Sequence, residues 1–177
     1  MRKIVLYIAM SLDGYIADGK KSVSWIKGQD DSVEMQDTYS DFFDNVDTVI
    51  MGKRTYDQIT TELSPDRWPY YGAVTYVFTH DVSMVDTKDI KFTNADSCRL
   101  INILKKEAGK NIWICGGADV VNQLMKEDLI DIFHISIIPV ILGGGIKLFE
   151  ETDDMINLSL DSTLNYNGVI EAVYKRR

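Results

Sequence analysis

Apolar runs and polar breaks divide the chain into alternating strand and helix patterns. Ile4 to Met10 is apolar without alternation and β-branched at its start, the pattern of a central strand covered on both faces. Ser11-Leu12-Asp13-Gly14 breaks it, Tyr15-Ile16-Ala17 returns briefly, and Asp18-Gly19 breaks again. Ser11 to Asp31 therefore reads as a long loop with Trp25 and Ile26 as anchors, and long loops in compact folds often carry function. Val33 to Val46 reads as a helix, because Met35, Tyr39, Phe42 and Val46 fall on one stripe that Phe43 widens. Asp47 to Met51 predicts a second strand ending at Gly52, and Lys53-Arg54-Thr55-Tyr56 opens a short helix to the region of Ile59. Ser64-Pro65 and Trp68-Pro69 mark a loop. Ala73 to Thr79 is a third strand stopped by His80-Asp81, and Asp89 to Phe92 a short fourth. Ser97 as N-cap starts a helix carrying Leu100, Ile101 and Leu104, with Gly109 at its C-terminal end.

The stretch from Ile112 to Met125 organises the rest. Ile112 to Cys115 is a strand buried on both faces, Gly116-Gly117 breaks it, and Val120, Val121, Leu124 and Met125 bury one side of a helix. Leu129 to Leu142 alternates as one strand that ends near Pro139, since proline cannot donate to a ladder. Leu158 to Asn165 and Gly168 to Lys175 form an antiparallel hairpin around Asn167-Gly168. The order predicts an α/β architecture: a mostly parallel central sheet with a C-terminal antiparallel hairpin, and ligands at the C-terminal ends of the parallel strands. No Pro-, Gly- or Ser-rich linker interrupts residues 1–177, which read as a single domain.

Composition narrows the function classes. Hydrophobic residues make up 45% of the 177, enough for a core without disulfides or metals. The net charge of -8 argues against nucleic acid and anionic membranes as partners. Cys98 and Cys115 have no CxxC partner and no His at metal spacing, which points to a reducing, cytoplasmic setting. The apolar N-terminal run is too short for a signal peptide or a spanning helix. Leu129 to Leu142 and the triple glycine after it are more apolar than one small sheet requires, and read as a homodimer seam.

Three strand ends carry the chemistry. Gly116-Gly117 lets backbone approach a ligand at a helix start, where free N–H groups favour an anion; a tight connection without a ligand fits the same residues. Gly52-Lys53-Arg54-Thr55 sets close backbone, two cations and a hydroxyl at another helix start, as a phosphate requires; a solvated cationic pair is the alternative. Thr79 and His80 add a hydroxyl and an imidazole, unless His80 is an ordinary loop residue. Two anion sites beside a glycine pair suit a dinucleotide with a pyrophosphate and a separate 2′-phosphate. No GxGxxG or GxxxxGK[ST] is present, so this is not an ordinary Rossmann domain or P-loop.

MSLDGYIA (Met10 to Ala17), VIMGKRTYD (Val49 to Asp57), YVFTH (Tyr76 to His80), ICGGADVVNQL (Ile114 to Leu124) and DIFHISIIPVILGGGIKLF (Asp131 to Phe149), in this order, resemble the dihydrofolate reductase-like superfamily. The LDG and LGGG elements point to the branch named for the C-terminal domain of RibD, the bifunctional riboflavin-biosynthesis deaminase/reductase. The resemblance implies a dihydrofolate reductase-like three-layer α/β fold, NADPH as cofactor, and reduction of a pterin- or pyrimidine-like heterocycle such as 5-amino-6-(5-phosphoribosylamino)uracil. It implies that Ala9 and Ile16 border the nicotinamide and that Gly52, Lys53, Arg54 and Thr55 hold phosphates. Thr79 and His80 then read the 2′-phosphate and adenine ribose. Gly116 and Gly117, joined by a cis peptide, touch the pyrophosphate, and Ala118 and Val120 of the following turn belong to the same site. Asp119 departs from dihydrofolate reductase proper, which has a basic residue there.

On the substrate side, a carboxylate on the first helix anchors the pteridine in dihydrofolate reductase. Counting back from Gly52 without gaps puts Gln36 at that position, which disfavours dihydrofolate. Glu34, Asp37 and Asp41 gather on another helix flank as a solvated acidic face. Asp13 is the remaining candidate for a catalytic group, and a turn residue before Gly14 is its plainer reading. Three readings stand: an NADPH-dependent heterocycle reductase, a dihydrofolate reductase, and a non-catalytic nucleotide-binding or dimerisation module.

Overall fold

The computed structural model describes residues 1–177. Ten strands and four helices follow in the order β1 (Ile4–Ser11), β2 (Tyr15–Ala17), α1 (Tyr39–Phe43), β3 (Val46–Gly52), α2 (Lys53–Gln58), β4 (Val74–Phe78), β5 (Ile90–Thr93), α3 (Ser97–Leu104), β6 (Asn111–Gly116), α4 (Ala118–Lys126), β7 (Ile132–Ile138), β8 (Ile146–Lys147), β9 (Leu158–Tyr166) and β10 (Val169–Arg176). A π-helical turn, Ile59–Leu63, extends α2.

Eight strands form one sheet in the order β5-β4-β3-β6-β1-β7-β10-β9. The pairs from β5 to β7 are parallel, and β10 is antiparallel to both β7 and β9. The most apolar strands, β1 and β6, sit at the centre, where both faces are covered. Ile4, Leu6, Ile50, Ile112 and Ile114 pack under α3 and α4 on one face. Val49, Met51, Val77 and Trp113 pack under α1 and α2 on the other. At the opposite end of the sheet the buried Arg2 donates to Thr48 Oγ1 and Lys110 O and pairs with Asp47.

Most expected strands and the closing hairpin are present, with Asn167 (φ 44) and Gly168 (φ 78) supplying the two left-handed positions of the turn. Three expectations are corrected. The helix expected over Val33 to Val46 is reduced to Tyr39–Phe43, and Val46 already opens β3. Upstream, the Asn167 side chain donates to the carbonyls of Asp30 and Val33 and accepts from Asp30 N, so tertiary bonds engage that backbone. Asp37 accepts from Ser40 N and fixes where the helix begins. Tyr39, Phe42 and Phe43 keep their common face, against Tyr7 and Trp113.

The N-cap of α3 is Asp96, which accepts from Arg99 N at 2.7 Å; Ser97 turns inward to Gln123 instead. Finally, β7 is an internal strand between β1 and β10. Phe133, Ile135 and Ile138 are buried in the chain's own core, so the sheet itself accounts for an apolar character that read as more than one small sheet requires. The long loop after β1 carries β2, which pairs with β8 in a small sheet of its own. Trp25 is half-buried there and donates to Ser22 O, while Ile26 is largely exposed.

Candidate functional site

The parallel strands β3, β4 and β6 end on one side of the sheet. Beyond their ends lies a cavity of about 1060 Å³. All twelve residues proposed from the sequence to hold a cofactor line it: Ala9, Ile16, the Gly52-to-Thr55 run, Thr79, His80, Gly116, Gly117, Ala118 and Val120.

The centre of the cavity is the turn from β6 into α4. Gly116 takes φ +131, a conformation that side-chain-bearing residues avoid, and its peptide to Gly117 is cis. A Cβ on Gly117 would stand 3.4 Å from Thr55 Oγ1, and one on Gly52 3.9 Å from Gly117 N. Both are ordinary van der Waals distances, so the requirement for glycine falls on the backbone conformation of Gly116, with the Thr55 hydroxyl over the pair. No side chain caps α4, whose N-cap is Gly117, so its first N–H groups remain available.

The charged groups around this turn are mixed. Lys53 Nζ lies 2.6 Å from Asp57 Oδ1, so this cation is already partnered. Arg54 and His80 are exposed on the rim. Lys20 and Lys21, from the loop after β2, also reach the wall, and Gln58 Nε2 donates to Lys21 O. The sequence offered no signal for these two, because they follow the short β2, which lies outside the parallel sheet whose ends mark the site. Asp119 lies exposed in the first turn of α4, beside Gly117, and Asp96 lines the same wall.

The inner end of the cavity is aromatic. Tyr70 Oη lies 3.5 Å from Cys115 Sγ, and both residues line it. Burial pushes the Cys115 thiol up to about 11 and the Tyr70 phenol well above its ordinary range, so both stay protonated at neutral pH. The buried Tyr39 hydroxyl behind them has no hydrogen-bond partner. The Tyr70 ring meets Trp113 edge-on at 5.0 Å, and Trp113 in turn meets Tyr7 at 6.2 Å.

The two residues proposed as catalytic are placed elsewhere. Asp13 is exposed; Ser11 Oγ donates to it, and it accepts from the N–H groups of Leu142 and Gly143. Those bonds hold its carboxyl below its ordinary value and tie the β1 turn to the glycine loop. Gln36 is exposed in the irregular segment before α1, and neither residue lines the cavity. The reason lies in the lost helix turns: without them nothing directs position 36 at the sheet.

A polar cluster missed by sequence reading lies beside the cavity floor. Ala9 is opposite Ser136 on β7, and Ser136 is opposite Glu171 on β10, so the three share one face in one row. Glu171 is 3% exposed and accepts from Thr38 Oγ1 at 2.7 Å and Tyr166 Oη at 2.6 Å, with His134 Nε2 at 2.9 Å. Burial works to raise its pKa, but these hydrogen bonds outweigh burial and bring it down to about 2. Nothing in the linear pattern marks Glu171, which stands in an exposed-looking hairpin.

The model of the RibD C-terminal domain matches residues 2–170, and the chain belongs to that family. It is 42% identical over 178 residues to the uncharacterized protein YwjB of Bacillus subtilis (strain 168), covering 99% of this chain and 98% of that one. The structure superposes on a candidate riboflavin biosynthesis protein of Shewanella sp. PV-4 with a TM-score of 0.84 and 27% identity, over 100% and 99% of the two chains. It also matches Enterococcus faecalis dihydrofolate reductase complexed with NADP(H), with a TM-score of 0.66 at 15% identity over 98% and 96% of the chains, a likeness of fold. No helix is long and apolar enough to cross a membrane.

Proposed function

We propose that the chain is an NADPH-dependent reductase of a pterin- or pyrimidine-like heterocycle. The observation that carries this reading is the convergence of three strand-end motifs and of Ala9 and Ile16 on one cavity. Gly117, Thr55 and the free N–H groups of α4 suit the pyrophosphate. Arg54, Thr79 and His80 suit a 2′-phosphate, and Ala9 and Ile16 give a small apolar floor for a nicotinamide ring. When bound, the dihydronicotinamide supplies hydride. The protein's own contribution is to hold the acceptor over Ala9, between the β2 loop and the Tyr70–Cys115 end, and to exclude water.

A Thermotoga maritima protein that bears the name diaminohydroxyphosphoribosylaminopyrimidine deaminase/5-amino-6-(5-phosphoribosylamino)uracil reductase shares the fold, with a TM-score of 0.69 and 16% identity over 99% of this chain and 57% of that one. A related pyrimidine is a natural first substrate to try, and Lys20 and Lys21 would face its phosphate. Dihydrofolate is disfavoured, because no carboxylate from residues 33–38 lines the cavity. The same reading has the protein acting in the cytoplasm as a homodimer, which sedimentation velocity would check.

Titration of tryptophan fluorescence with NADPH tests the proposal. Binding should be tighter for NADPH than for NADH, and Arg54→Ala combined with His80→Ala should remove the preference. No binding at millimolar NADPH would overturn the reading.

A further inference from the structure

A reductase must deliver a proton as well as a hydride, and the acidic and imidazole groups that line the cavity, Asp57, Glu62, His80, Asp96 and Asp119, come from elements other than the strand that carries Ala9. Cys115 and Tyr70 are in contact with each other at the inner end, and Asp13 is tied to the glycine loop. The neighbouring row of the same sheet face holds a group that fits. Tyr7 lies two residues before Ala9 on β1, so both side chains project from one face. It is half-buried, and its ring is fixed by stacking on Phe42 at 4.2 Å and by edge contacts with Trp113 and His134.

The hydrogen bonds around Tyr7 have a direction. Thr38 Oγ1 donates its one proton to Glu171 Oε1 at 2.7 Å. Toward Tyr7 it can therefore only accept. The Tyr7 phenol must donate in their 3.3 Å contact, a long bond that a closer acceptor would replace. The carboxylates near Tyr7 are Glu171 and Asp37, and burial, ahead of both, raises its pKa and keeps the proton on the phenol at neutral pH. His134 and Tyr166 face Glu171 from β7 and β9 and hold it in place. Tyr7 is not among the residues that line the cavity, but it stands next to Ala9 on the same face of β1, and the methyl side chain of Ala9 leaves a ring lying over it free to extend in that direction.

We propose that Tyr7 is the proton donor of the reaction and that Thr38 and Glu171 are its positioning residues, which makes a neutral C=N bond the acceptor class. The assignment rests on the reductase reading above. The phenol O–H bond breaks and its proton goes to the nitrogen. Hydride arrives at the carbon, and the electron pair of the C=N π bond becomes the new N–H bond. Water then returns a proton to the phenolate on its exposed side. A cationic iminium needs no proton, because hydride alone converts it to the neutral amine.

The experiment compares 3,4-dihydroisoquinoline, at a pH where the imine is neutral, with its N-methyl iminium. Tyr7→Phe should leave the melting temperature and the NADPH dissociation constant close to wild type. Without NADPH, it should weaken imine binding about tenfold and leave iminium binding unchanged. With NADPH, its turnover of the imine should fall about 100-fold or more while turnover of the iminium stays within about twofold. Thr38→Val should reproduce part of this discrimination and Thr38→Ser should restore it, which a merely structural role would not do. Equal losses on both probes, with NADPH binding intact, would overturn the Tyr7 assignment alone. So would a wild-type protein that binds NADPH and neither probe. Failure of the wild type to bind NADPH would defeat the reductase reading, and the donor role would fall with it.

Discussion

Replacing Glu171 by Gln keeps the shape of a buried side chain and removes its charge. The carboxylate is 3% exposed, so its hydrogen bonds act with little solvent screening. Bonds from His134, Tyr166 and Thr38 overcome burial and bring it from 4.5 in the unfolded chain to about 2 in the folded one. That difference corresponds to about 3 kcal/mol of folding stability. Because the folded value is the lower one, the contribution is complete above the unfolded value of 4.5 and is lost as pH falls toward about 2. Urea unfolding of wild type and Glu171→Gln at a series of pH values from 7 to 3 measures it. The variant should be less stable by about 3 kcal/mol at pH 7, and the gap should shrink by about 2 kcal/mol on reaching pH 3. Taking the difference between the two proteins cancels the exposed carboxylates Asp13, Asp30, Asp37 and Asp81, which hydrogen bonds also hold low. A gap that stays constant with pH would show that the ionisation of Glu171 contributes nothing to stability and would refute the reasoning.

Three further outcomes follow from particular contacts. Asp119→Asn removes a carboxylate beside the Gly117 turn and should tighten NADPH binding roughly threefold at low salt, with the gain fading as salt rises; fluorescence titration reads it. Asn122 is 4% exposed and bridges α4 to the segment before β9 by donating to Ala118 O and Leu148 O and accepting from Glu150 N. Asn122→Ala strands those groups and should cost about 2 kcal/mol in urea unfolding. Asp13→Ala should speed amide exchange at Leu142 and Gly143, whose N–H groups the carboxylate now accepts, without a comparable change in the centre of the sheet.

The central strands were legible because their signal is local. Continuous apolar runs at Ile4 to Met10 and Ile112 to Cys115 can only be buried on both faces, and Asn167-Gly168 can turn tightly whatever surrounds it. The cavity wall was legible for a related reason. In a parallel sheet, residues just past each strand end are brought to one edge, so Gly52 to Thr55, Thr79-His80 and Gly116-Gly117 had to converge once their strands were placed. The helical stripe from Val33 to Val46 misled because periodicity does not count competing hydrogen bonds. Asn167, on a turn over a hundred residues away, engages the carbonyls of Asp30 and Val33. Gln36, in that irregular segment, does not line the cavity.

Local pattern was enough to show which segments are buried strands, where the chain must turn, and that glycines, hydroxyls and basic groups gather at the strand ends. Those properties depend on neighbours in the chain and on the periods of strand and helix. Only the tertiary structure decided that Lys20 and Lys21 reach the cavity, that Asp13 holds a loop, and that Glu171, Thr38 and Tyr7 form one directed chain of hydrogen bonds. Each of these joins residues distant in the sequence whose types are unremarkable alone. Their meaning arises from strand register, which sets Ala9, Ser136 and Glu171 side by side on one face.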